Sequence, residues 1–216
     1  ITRALVGKKI FNMKSNSFLE IPEMKTQAAI LTPTIRKLIS SENSMVLTFD
    51  MDQDTLAFIN SEEGSELSQV GPATPDHTLH TKIKPLWAKL TDISNQRLSG
   101  EEISEAIRTY RMDYTKWYEA NTDHRQSILD TNPRVILVPG LGMWTTGKDI
   151  RAASITRDIY HHTIKVIKSA TAIDEYVSLS EANAYEVEYW PVELHKLTLV
   201  EKVKPFSSKI VLITGA

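Results

Sequence analysis

Apolar positions change their period several times along this chain, and each change marks a new element. Residues 1–25 scatter Lys, Asn and Ser among apolar residues without a sustained repeat and read as a lead-in segment. From Thr26 to Ser40, apolar Ala29, Ile30, Ile35, Leu38 and Ile39 recur around Pro33, which predicts a short helix that the proline either starts or breaks. Val46, Leu47 and Phe49 form a brief apolar run between polar clusters, the mark of a buried strand, with Asp50 or Asp52 placed to cap the next helix. That helix sets Leu56, Ala57 and Ile59 on one side, and Gly64 ends it. Turn chemistry at residues 71–76 gives way to alternation at Leu79, Thr81, Ile83 and Pro85, which predicts an extended edge segment because Pro85 cannot donate to a central ladder.

The second half is more regular. Ser99 and Glu102 stand at capping-box spacing, so a helix is expected to begin at Ser99. Ile103, Ile107, Tyr110, Tyr114 and Trp117 follow at spacings of three and four and share one face, as a core or contact stripe does. His124 to Asn132 reads as polar linker. Val135 to Val138 is the strongest strand; a glycine-rich loop is expected after it, then a helix from about Asp149 to Ala172. Ser180 caps a further helix through Tyr185 and Trp190, Pro191 can open another turn, and the Lys-rich stretch 196–209 reads as a linker. The alternation implies an α/β fold, a small layered sheet with flanking helices, in which Val46–Phe49 and Val135–Val138 are neighbouring or near-neighbouring strands. The organisation is a lead-in over 1–25, an α/β middle domain over 26–198, and a linker and strand over 199–216.

Composition narrows the function classes. With 216 residues, 41% hydrophobic and 24% charged, the chain has the make-up of a globular protein. A net charge of -2 and a pI near 6.3 give no basic footprint for nucleic acid or an anionic membrane. No cysteine is present, which excludes a disulfide framework and thiolate metal sites and fits a cytoplasmic protein. The chain opens on Ile1 rather than Met, as a piece of a longer polypeptide or a trimmed chain would.

Two groups of residues could carry chemistry. Gly140 and Gly142, with Gly147 and Lys148 at the start of a helix, offer backbone amides and a cation where the helix dipole is positive, so a small anion could bind there; the alternative is a structural turn in which glycine permits positive φ. His77 and His80, with Asp76 beside them, are weak catalytic or metal candidates. Two imidazoles and a carboxylate want a further ligand, which only His124, His161, His162 or His195 could supply, and an Asx-type turn explains the Asp-His pair equally well; no bound metal is expected. His162 shares a helical face with Ile155, Ile159, Val166 and Ala170, which favours a core or interface histidine. The closing "KIVLITGA" is a strand running into Gly215, as a first nucleotide-binding strand does, without the further glycines of that turn.

Taken in order, "ELSQVGPATPDHTLHTK", "PRVILVPGLGMWTTGKD", "YVSLSEANAYEVEYWPVELHKL" and "KIVLITGA" resemble consecutive signatures of the bifunctional rhamnulose-1-phosphate aldolase/short-chain dehydrogenase family, over roughly residues 35–216. The resemblance implies a linking domain between a class II aldolase and a Rossmann-fold dehydrogenase, with flanking domains as partners and a homo-oligomeric parent. It implies NAD or NADP and a divalent metal such as zinc in the parent, none of them in this chain. Thr214 and Gly215 match the start of the family's nucleotide turn. Residues 135–170 also resemble the last strand, loop and helix of a class II aldolase, with Pro139-Gly140 or Leu141-Gly142 where a His-Gly would hold metal, which implies a degenerate aldolase-like domain. The competing reading is a free-standing lyase-like or anion-binding domain using His77, His80 and Lys148.

Overall fold

The computed structural model describes residues 19–40 and 43–198, together with 209, 212, 214 and 215. Helix α1 (Ile21–Ile39) comes first and runs straight through Pro33. The sequence reading placed the helix later because it gave Pro33 the power to stop it. Met24, Ala28, Leu31, Ile35 and Ile39 are all buried on one face, so packing along the whole length outweighs one missing backbone bond. The helix thus begins five residues inside the expected lead-in.

Strand β1 (Val46–Asp50) leads to α2 (Gln53–Ile59), capped by the Asp52 side chain, which accepts from Asp54 N–H. Gly64 does not end α2; it begins the short α3 (Gly64–Leu67). Residues 75–81, where a turn is expected to give way to an extended segment, form helix α4 (Pro75–Thr81) with Pro75 in its first turn, and the strand β2 that follows is only Leu86–Trp87. Proline is preorganised for a helix start, and that signal overrode the apparent alternation. Helix α5 (Gln96–Asn121) starts one turn before Ser99: Asn95 is the cap, and buried Ser99 donates instead to the Asp92 carbonyl. Strand β3 (Val135–Val138) turns through Pro139 to Leu141 into β4 (Gly142–Gly147), and α6 (Ile150–Thr171), α7 (Glu181–Glu188) and α8 (Pro191–Thr198) complete the described elements.

The sheet order is β1-β4-β3-β2, antiparallel except for the β2–β3 pair. As expected, β1 and β3 are near neighbours, with β4 between them. Alternate residues feed two cores. Ile136, Val138 and Trp144 meet α1 and α5 on one face, while Val135, Leu137 and Met143 meet Tyr160, Ile164 and Ile167 of α6 on the other. A third, aromatic cluster of Tyr114, Trp117, Tyr118, Tyr185 and Tyr189 joins α5 to α7. The fold is therefore the α/β layered sheet with flanking helices that the alternation implied.

Candidate functional site

Three polar groupings lie around this framework, and the helix α6 supplies two of them. Its His161 Nε2 meets Asp50 Oδ2 at 2.9 Å, at the C-terminal end of β1. Burial alone would raise the Asp50 carboxyl, but the hydrogen bond and charge of His161 hold it below the ordinary carboxylate value. The hydrogen bond to Asp50 raises His161 above the ordinary imidazole value, against its own partial burial. Both shifts favour the ion pair. Two turns further, Lys168 Nζ lies 2.9 Å from Asp54 Oδ1 of α2, so α6 is tied both to the end of β1 and to the helix that follows it.

The next residue of α6, His162, points elsewhere. Its ring meets that of His77 edge-on, with centroids 5.6 Å apart, and His77 Nδ1 lies 3.2 Å from Thr163 Oγ1. Partial burial and the neighbouring His162 both lower the His77 pKa. His162 is exposed, so of the core and interface places that its helical face suggests, the structure removes the core one. Asp76 and His80 are exposed on α4. Among the described residues, no group of three or more His, Asp or Glu side chains is placed to hold a metal ion.

The third grouping was missed by the sequence reading. Lys82, just after α4, adopts φ 61° and ψ 177°, a region costly for any residue but glycine, and yet it is buried. Its Nζ reaches Glu188 Oε1 at 3.3 Å and sits 3.8 Å above the Tyr114 ring. Tyr114 donates to the same Glu188 oxygen at 2.6 Å and stands 2.9 Å from the Tyr189 hydroxyl, which accepts from Leu129 N–H. Burial pushes the Lys82 ammonium below its usual value, with Glu188 opposing, and pushes the Tyr114 hydroxyl up. Glu188 Oε2 is buried with no hydrogen-bond partner. The partners lie 106 residues apart, so no local spacing marks the pair. The signal available was a Glu on the aromatic face of α7.

Of the glycines proposed as an anion cradle, only Gly140 lies in a turn. Gly142 and Gly147 bound β4, every residue of which is buried between β1 and β3. Gly140 N–H is taken by Asn60 Oδ1 at 2.7 Å, and Asp149, whose carboxylate accepts from Ala152 N–H, already occupies the N-terminus of α6 next to exposed Lys148. The glycines serve close approach instead. A Cβ on Gly147 would lie 2.3 Å from Ala153 N, and one on Gly142 would lie 2.6 Å from Asp50 O. The strand expected over Ile210–Ile213 falls largely outside the described residues; of the turn residues, Gly215 adopts φ 76°.

Comparison with known proteins adds an independent line. The family model described as aldolase class II, second domain, matches residues 26–197. The chain is 38% identical over 208 residues to an uncharacterized oxidoreductase, YuxG, of Bacillus subtilis (strain 168). That match takes in 96% of this chain and 30% of the relative, so the chain spans under a third of the relative's length. No solved structure matches.

Proposed function

The chain belongs to the class II aldolase second-domain family, and from that premise we propose that it is the linking and positioning domain of a polypeptide that joins a sugar-phosphate aldolase to an NAD(P)-dependent short-chain dehydrogenase. In this reading the parent cleaves rhamnulose 1-phosphate and interconverts lactaldehyde, and the flanking domains carry the catalytic sets. The observation that carries it is the placement of the polar groups. Asp50 with His161, Asp54 with Lys168, and Lys82 with Glu188 are each spent on tying one element to another, the first two where α6 meets the end of β1 and the start of α2 and the third in the cluster between α5 and α7. A relative called an oxidoreductase, over three times as long as the match, supports the two-unit arrangement.

The described residues do not by themselves fit the divalent cation that class II aldol cleavage uses to stabilise an enediolate. No step is therefore assigned to this chain through a metal, and none through a nicotinamide. Its residues hold geometry. The α6 ties fix the end of β1 and the start of α2, and the Lys82 network fixes α7, which α8 follows in the chain.

The second reading, a lyase-like domain using His77, His80 and Lys148, draws on one observation: the His77 and His162 rings stand together at a corner where His162 is open to solvent. One experiment separates the two. The chain and its full-length parent are assayed side by side, with ketose 1-phosphate and added divalent metal, and with lactaldehyde and NAD or NADP. The chain is expected to be silent in both. Metal-dependent cleavage by the chain near the parent's rate, lost on His77→Ala, would put the second reading first.

A further inference from the structure

We infer that the edge of β1, which no other strand covers among the described residues, is a pairing surface for a second copy of this chain, joining two four-stranded sheets into one across a two-fold axis. The two edges of the sheet are unequal. At one end β2 contributes two residues behind Pro85, a short and proline-guarded edge. At the other, β1 is five residues long, holds unbroken register with β4 from Val46 to Asp50, and carries neither Lys, Pro nor a bulge. Both faces of β1 are covered, one by α1 and the other by α6, yet all five residues remain half-exposed, whereas β3 and β4 are fully buried. The exposure therefore comes from the edge.

The register says which backbone groups the edge offers. Thr146 N–H donates to Arg134 O on the β3 side, so Gly142, Trp144 and Thr146 face β3 while Met143, Thr145 and Gly147 face β1. Their partners Val46, Thr48 and Asp50 are turned inward, which leaves the N–H and C=O of Leu47 and Phe49 pointing out. That set is self-complementary. An antiparallel copy centred on Thr48 places Leu47 opposite Phe49 of the copy, and Phe49 opposite Leu47, as two hydrogen-bonded pairs with Thr48 facing Thr48 between them. Such a pairing keeps apolar side chains on the α1 face of both copies and Thr48 on the α6 face. It also sets Asp50 against Val46 rather than against another charge, and brings the end of β1 where Arg36 Nε holds the Met45 carbonyl beside the Asp50 and Asp52 end of the copy.

The test reads the wild-type chain by light scattering and by residue-resolved amide exchange over a wide concentration range. A dimer is expected, with the Leu47 and Phe49 amides slowed about tenfold or more as it forms, while Val46, Thr48 and Asp50 are protected throughout. Leu47→Pro removes one outward donor and no inward ladder bond, and is expected to leave a folded monomer. A monomer at every concentration overturns the inference. So does a dimer in which Leu47 and Phe49 still exchange freely, and so does protection already complete in the dilute monomer, which would mean that the chain covers its own edge. Should Leu47→Pro fail to fold, the wild-type concentration series decides alone.

Discussion

At the scale of single residues, Asp50 and His161 make a pair whose worth depends on pH in a definite direction. His161 is raised in the folded protein, so its contribution is complete below the unfolded imidazole value of 6.5 and is lost as pH rises through the higher folded value. Asp50 is lowered from 3.8, so its contribution is present above that value and is lost as pH falls through the lower folded one. Between those limits the pair is intact. His161→Gln is therefore expected to lower stability by about 1 kcal/mol at about pH 5 and by distinctly less at about pH 8, read from urea midpoints. An equal loss at both values would remove the charge from the account. None of this was legible in the sequence, where His161 looked like one of several spare imidazoles, because its partner lies 111 residues away on another element. Gly142 and Gly147 were misread for a related reason. Glycine reports that a backbone needs room, and the sequence does not say whether an anion or, as here, a neighbouring backbone takes that room.

At the scale of elements, the signals that survived were those reinforced by packing. Val135–Val138 is apolar at every position and became a fully buried strand, and the aromatic stripe from Ile103 to Trp117 lies on the inner side of α5. Boundaries read from one residue fared worse. Ser99 with Glu102 has the spacing of a cap, but Asn95 stands one turn earlier and its side chain takes Leu98 N–H at 3.1 Å, while Glu102 turns to the Thr91 amide and hydroxyl. Residues 142–147 were read as loop because a hairpin whose second strand begins and ends in glycine has few β-branched residues to announce it, although Thr145 and Thr146 are there. Asp149 was placed correctly at the head of α6, and its carboxylate on Ala152 N–H is the reason the helix starts there. Asp149→Ala is expected to cost about 1 kcal/mol. Asp149→Asn is expected to recover most of it, since an amide oxygen can accept the same bond. A midpoint unchanged by the alanine would show that burial of β4 against α6 sets the helix start unaided.

At the scale of the whole molecule, the three clusters differ in what closes them. The two sheet cores are closed mainly by aliphatic side chains from α1, α5 and α6, with Phe58, Tyr160 and Tyr176 added on the α6 face. The third is closed by aromatic rings around a buried charge pair, and it joins α7 to the rest through Lys82, Tyr114 and Trp117, whose indole donates to the Glu181 carbonyl. A buried pair adds little beyond what well-packed apolar residues would give, but removing one partner strands the other charge. Glu188→Ala leaves Lys82 without a counter-ion in a backbone conformation that is already costly, and is expected to destabilise by about 3 kcal/mol or more. Lys82→Met with Glu188→Leu together is expected to lose much less than Glu188→Ala alone, because neither charge is then left over. The loss is also expected to be local. Amide exchange in α7 should quicken in Glu188→Ala while β3 and β4, held by the aliphatic cores, keep their protection. Exchange that quickens equally in the sheet would mean that the aromatic cluster and the sheet cores unfold as one unit, and that α7 is not a separately anchored arm leading toward residues 199–216.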